Sequence, residues 1–213
     1  MAVSSLSKFS VPLAKDSNEG MLMPKLKYRF RVKFTSFGAS TTNITELTKQ
    51  ISEAARPNLE FENKVIDVYN SKINYAGKWT WKPISVKIRD DATGKVSKLI
   101  GEQNQKQMDF FEQSSAAAAG DYKFTMTIEM IDGGNGAFEP VTLESFEFLG
   151  CFIKQATYQG GDYSDATNPM DIALTITYDN AIQLDAPGGT ASGIGLDVGR
   201  VVRPAGAQGL TTG

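Results

Sequence analysis

Residues 64–91 read KVIDVYNSKINYAGKWTWKPISVKIRDD, and the fold is decided by how this stretch is cut into strands. Ile84, Val86 and Ile88 alternate with Ser85, Lys87 and Arg89, the period-two pattern of a strand with one buried face. Pro83 interrupts the parity set by Trp79 and Trp81, and a proline that cannot donate to a ladder marks a bulge or a sheet edge. Before it, the spacing predicts an extended arm over 58–76, a turn at Ala76-Gly77, and a strand carrying both tryptophans. Val65, Ile66, Val68 and Tyr69 on such an arm leave apolar side chains and unpaired backbone groups in water. A second subunit is expected to cover them, with Asn70, Lys72, Ile73 and Tyr75 completing the contact.

Outward from this stretch, alternation predicts further strands. Leu26–Phe34 sets Leu26, Tyr28, Phe30, Val32 and Phe34 against Lys27, Arg29, Arg31 and Lys33, a basic row read as a solvated or ion-paired face. Leu47–Ala54 reads as a weaker strand that stops before Pro57. Val96, Leu99, Ile100, Met108, Phe111 and the Ala116–Ala119 run recur at helical spacing, so one helix is expected over 95–118, ended by Gly120. Tyr122–Met130 alternates again. In 141–156, Gly150 separates Phe146 and Phe148 from Cys151 and Ile153 on opposite parity, which predicts a bend where one strand passes between two sheets. Met170–Tyr178 closes the series. Three parts follow: an N-terminal arm 1–24, a domain 25–185 and a Gly/Ala-rich tail 186–213 with too little apolar surface to fold alone.

Composition narrows the chemistry. With 213 residues, 41% hydrophobic and 22% charged, the chain has enough apolar content for a core, and its net charge of −2 argues against a dedicated nucleic-acid binder. No apolar run approaches the ~20 residues that cross a bilayer, and no secretory leader is evident at the N-terminus, so a soluble protein used without secretion and without a membrane anchor is expected. The lone Cys151, among Leu149, Phe152 and Ile153, reads as a packed thiol. The chain has no histidine, which removes the Ser-His-Asp and Cys-His nucleophile arrangements and His-ligated zinc.

Each remaining motif falls short of its chemistry. Gly193-Ile-Gly195-Leu-Asp-Val-Gly199 follows no strand and opens no helix, and Gly94-Lys95 is followed by Val96 where a phosphate loop needs a hydroxyl. Asp162, Asp165, Asp171 and Asn168 do not keep calcium-loop order, and no pair among 24 acidic residues stands out for glycoside hydrolysis. Trp79 and Trp81 on one face are more simply packing residues than a sugar-stacking platform. No catalytic residue, cofactor or metal is expected.

The run Asn70-Ser-Lys-Ile-Asn-Tyr-Ala-Gly77, the strand Trp79–Arg89 with Asp90-Asp91, the helix ending in Ala-Ala-Gly, and Phe146-Glu-Phe-Leu-Gly150 with the Asp162–Asp165 loop and Ile172–Asp179 together resemble tail tube proteins of contractile-tailed bacteriophages. The likeness spans roughly 25–182 and leaves a longer N-terminal arm, an insertion near Thr93–Gly101 and the tail after Asp185 outside the compact pattern. The resemblance implies a mainly β (α+β) fold of two packed antiparallel sheets, a sandwich or flattened barrel flanked by one α-helix, similar to type VI secretion tubes. It also implies six-membered rings stacked into a tube in the virion tail, assembled in the host cytoplasm, with sheath, baseplate and tail terminator proteins as partners and DNA passing through. A channel for a polyanion favours small polar groups, since each cation on phosphate adds affinity. Thr125, Thr127, Glu129, Asp171, Ala173, Thr175 and Thr177 are therefore expected to face the lumen, and the basic row of 26–34 to lie elsewhere. The alternatives are a baseplate or tube-capping subunit, a secretion-system tube, or, in another class, a carbohydrate-binding β-sandwich.

Overall fold

The computed structural model describes residues 25–39, 44–132, 140–165 and 167–184. The N-terminal arm 1–24, the tail 186–213 with its Gly193–Gly199 loop, and most of the Asp132–Gly136 turn lie outside them. In chain order the elements are β1 (Phe30–Thr35), α1 (Ile44–Lys49), β2 (Ile51–Ala54), β3 (Asn58–Val68), β4 (Ser71–Lys82), β5 (Ile84–Arg89), α2 (Lys95–Gln107), β6 (Met108–Asp109), β7 (Ser114–Ser115), α3 (Ala119–Tyr122), β8 (Phe124–Ile131), β9 (Thr142–Tyr158), β10 (Asp171–Thr177) and β11 (Asn180–Leu184).

The long β9 organises the domain. Its first half pairs with β8, which pairs with β1, and its other edge takes β11; its second half pairs with β10, followed by β5 and β2. All these pairings are antiparallel, and the sheets do not close into a barrel. The passage from one sheet to the other falls at Gly150, as its parity predicts. There φ is +67°, and a Cβ would collide with the Asp179 carboxylate, so only glycine fits. Phe146 and Phe148 before the bend and Cys151 and Ile153 after it all point into one core. Val32, Met126 and Ile128 meet Val86, Ile88, Leu174 and Ile176 there.

Helix α2 covers the core through Val96, Leu99, Ile100 and Gln103. Gln103 is fully buried with its amide satisfied on both sides, accepting from the Gly38 N–H at 2.9 Å and donating to Tyr122 O at 2.6 Å. Gln107 closes the edge of β9 like a strand residue, accepting from Ile153 N–H at 2.8 Å and donating to Ile153 O at 3.0 Å.

Several expected boundaries are corrected. The first strand starts at Phe30, not Leu26, because Arg29 N–H bonds back to Leu26 O in a turn that leaves Tyr28 exposed. The expected strand over 47–54 is split: 47–49 end helix α1, and 51–54 form β2 against β5. The helix over 95–118 ends at Gln107. Its expected continuation through Met108 and Phe111 is instead an exposed, short β6–β7 turn, so those apolar residues form no buried stripe. Gly120 lies inside α3 rather than capping a helix, and the described residues hold three helices instead of one. Strand β11 has no counterpart in the series that alternation predicts.

Candidate assembly surface

The arm is a β-hairpin, and its turn is not at Ala76-Gly77. β3 and β4 pair from Asn58↔Lys82 to Val68↔Ser71, so the chain reverses at Tyr69-Asn70, with Tyr69 at φ +51°. Tyrosine rarely takes that conformation, which is why the sequence pointed to the better turn-former seven residues on. Gly77 marks a β-bulge instead. Ala76 and Trp79, three apart, pair with Asn63 and Phe61, two apart, and a Cβ on Gly77 would come within 3.0 Å of Glu62 O.

The bulge divides the hairpin into a root and a blade with apolar groups on opposite faces. Opposed residues in an antiparallel pair share a face. At the root, Leu59 opposes Trp81 and Phe61 opposes Trp79. Trp81 sits 5.7 Å from Tyr178, Tyr178 packs edge-on to Phe148 at 4.9 Å, and Trp79 meets Trp81 at 5.5 Å, so an aromatic chain runs from core to root. The two indoles lie 76° apart and do not form the flat platform a sugar ring would stack on. Counting along β3 from Phe61, the same face continues as Asn63, Val65 and Asp67 opposite Ala76, Asn74 and Lys72. It is polar apart from Val65 and Ala76, with Lys72 3.7 Å from Asp67.

The other face of the blade carries Ile66 opposite Ile73, Tyr75 opposite Lys64 and Val68 opposite Ser71. Those four apolar side chains stay between 44% and 53% exposed, and Tyr69 at the tip is bare. A two-stranded hairpin is marginal in water without something on its apolar face. Burying the exposed half of four such side chains would contribute about 3–6 kcal/mol per copy as an upper bound. All eight residues expected on the arm are thus on the hairpin, but Val65 and Lys72 face away from Ile66, Val68, Ile73 and Tyr75.

Glu144 anchors the root. Its Oε2 lies 2.7 Å from Lys25 Nζ and 3.4 Å from Arg56 Nη1, and its Oε1 accepts from Gln183 Nε2 at 3.1 Å. One carboxylate therefore joins the entry to β1, the segment leading into the hairpin and β11. Beside it, a cleft of about 630 Å³ opens between β1 and β2, the free edges of the two sheets.

The residues expected to share a channel surface fall into two groups. Thr125, Thr127 and Glu129 lie on the outward face of β8, whereas Asp171, Ala173, Thr175 and Thr177 lie on the outward face of β10, in the other sheet, with the common core between them. The basic row does not lie elsewhere: Arg31 opposes Glu129 and Lys33 opposes Thr127, so cations and threonines share a face. Glu129 is only 9% exposed. Burial alone would raise its carboxyl pKa, but hydrogen bonds from Lys33 and Arg31, reinforced by their charges, hold it below its ordinary value.

The remaining candidates are ordinary structure. Cys151 is buried, its Sγ 3.4 Å from Phe148 O, and burial pushes the thiol up to about 12, which leaves no thiolate to react. Asp162 accepts from the N–H and Oγ of Ser164, and Asp165 from the N–H and Nδ2 of Asn168, as local turn formers.

No family model matches this chain, and no curated protein sequence matches it. Solved structures do. A chain from the sheath/tube terminator of an extracellular contractile injection system (PVC) in its extended state is similar with TM-score 0.52 and 12% identity, covering 77% of this chain and 99% of that one. A chain from the sheath-tube complex of that system gives 0.51 and 15% over 85% and 98%. A chain from the baseplate of the anti-feeding prophage gives 0.50 and 14% over 77% and 97%. The class defined by fold and hairpin is a tail-tube-like β-sandwich. At identities this low, the TM-scores and coverage establish a shared fold and nothing more.

Proposed function

We propose that this chain is a structural, non-enzymatic subunit that assembles with copies of itself into hexameric rings stacked as a tail tube, a conduit for DNA. One observation carries the proposal: on a tail-tube-like sandwich, an 11-residue strand and a 12-residue strand form a hairpin whose blade extends beyond the core-packed root, with the apolar face of Ile66, Val68, Ile73 and Tyr75 half exposed. Ring closure and stacking join unlike patches of identical subunits, and such contacts hide exposed strands without new chemistry. Sheath, baseplate and terminator proteins are the partners this role implies, in the virion tail. Of the two outward rows, that of Thr125, Thr127 and Glu129 is proposed to line the channel, because its cations are the ones neutralised by a nearly buried carboxylate.

Electron microscopy and native mass measurement of the purified full chain test this. Rings or tubes of one diameter and sixfold mass are expected, and a protein that stays monomeric when concentrated overturns the reading. Because solved neighbours come from baseplate and terminator assemblies as well as a sheath-tube complex, a capping ring is the second reading. Isolated rings without open-ended tubes would favour it.

A further inference from the structure

Within β1, β8 and the first half of β9, the outward face carries two cations of the sequence's densest basic row, yet its charges balance; Arg29, just before β1, donates to Asp132 O. Arg31 and Lys33 of β1 share that face with Thr127 and Glu129 of β8 and with Glu147 of β9, which opposes Thr127. The two cations and two carboxylates cancel. The cancellation is built, not statistical. Glu129 Oε2 accepts from Arg31 Nε at 2.7 Å and lies 2.6 Å from Arg31 Nη2, while Oε1 accepts from Lys33 Nζ at 2.7 Å. Each oxygen holds one cation, and the carboxylate itself is nearly out of solvent. On the other sheet, Lys87 and Glu53 approach only to 3.5 Å with both side chains open to water.

We infer that Glu129 is an internal counterion whose role is to keep this face from holding a phosphate backbone. Affinity for DNA arises when cations replace the ions condensed on phosphate. A cation already paired has little to offer, and drawing Arg31 or Lys33 away would leave one oxygen of a nearly buried carboxylate without its partner. The purpose of that neutrality rests on the proposed tube; the shielding is a property of one subunit and is tested without assembly.

The measurement is fluorescence anisotropy of a labelled 30-base-pair duplex with unassembled full-length protein at 50 and 200 mM salt. Wild type is expected not to bind. Glu129→Gln releases two cations and should bind at 50 mM salt, weakening about twelvefold by 200 mM, as two phosphate contacts require. Adding Arg31→Gln and Lys33→Gln to it should abolish the gain. Thr125→Lys, which leaves Glu129 in place and adds a cation opposite Thr35 rather than a carboxylate, should also bind and guards against a Glu129→Gln variant that fails to fold. Wild-type binding as tight as that of Glu129→Gln, a gain that persists without Arg31 and Lys33, or folded variants that never bind, overturns the inference. Failure to form tubes would sink the proposed function and leave this result intact.

Discussion

The sandwich and the hairpin are made from the same residues and have opposite fates. Ile84, Val86, Ile88, Ile172 and Leu174 are sealed from water, while Ile66, Val68, Ile73 and Tyr75, equally strong strand formers, are half exposed. Both regions have sound antiparallel ladders, so propensity and hydrogen bonding do not separate them. The difference is the second layer. The sandwich supplies one from its own chain, whereas the hairpin's apolar face stays half exposed, and the proposed assembly is what would supply its second layer.

Substitutions should separate the two regions by readout, starting with the largest effect on the subunit. Phe148→Ala, at a fully buried position touching Tyr178, should cost about 3–5 kcal/mol in chemical denaturation. A smaller loss would mean that the aromatic chain tolerates a cavity. Gly150→Ala forces a Cβ against Asp179 at positive φ and should cost roughly 2 kcal/mol, partly recovered by adding Asp179→Gly. Gln103→Leu leaves the Gly38 N–H and Tyr122 C=O without their partner and should cost about 1–3 kcal/mol by the same assay.

A gentler effect is expected with pH. The folded carboxyl of Glu129 titrates below its unfolded value, so the folded state binds fewer protons. Its stabilisation is present above the ordinary carboxylate range and is lost as pH falls through the folded pKa. The difference in melting temperature between wild type and Glu129→Gln should therefore shrink from pH 7 toward pH 3; a constant difference would exclude the ion pairs as its cause.

The smallest effect on the subunit is the most telling for the comparison. Ile66→Ser with Ile73→Ser should leave the melting of the isolated domain within about 0.5 kcal/mol of wild type and remove assembly in sedimentation. Loss of subunit stability instead would show that the hairpin is held by its own domain.

Alternation made much of the sandwich legible. Val32 and Phe34, Met126 and Ile128, and Ile172, Leu174 and Ile176 are inward as their spacing predicts. Gly150 marked the bend because a strand that keeps both its halves facing one core must switch parity where it changes sheet, and glycine tolerates the backbone twist that the switch demands. The hairpin residues were legible as exposed apolar strand formers. Their geometry was not. The reversal uses Tyr69, a poor residue for positive φ, while the glycine that looked like a turn serves a bulge, so local signals misplace both. Beyond Gln107, helical spacing persisted in letters but not in burial, since Met108 stays partly exposed and Phe111 almost wholly so.

By itself, the sequence determined which residues alternate, that the chemistry of histidine is absent, and that one arm is rich in apolar strand formers. Only tertiary structure decided that the basic row of β1 and the threonines of β8 share a face, and that the blade's apolar side lies opposite the root's. Both depend on register, which long-range pairing and one extra residue at a bulge set, and a shift of one position in either turns every side chain to the other face.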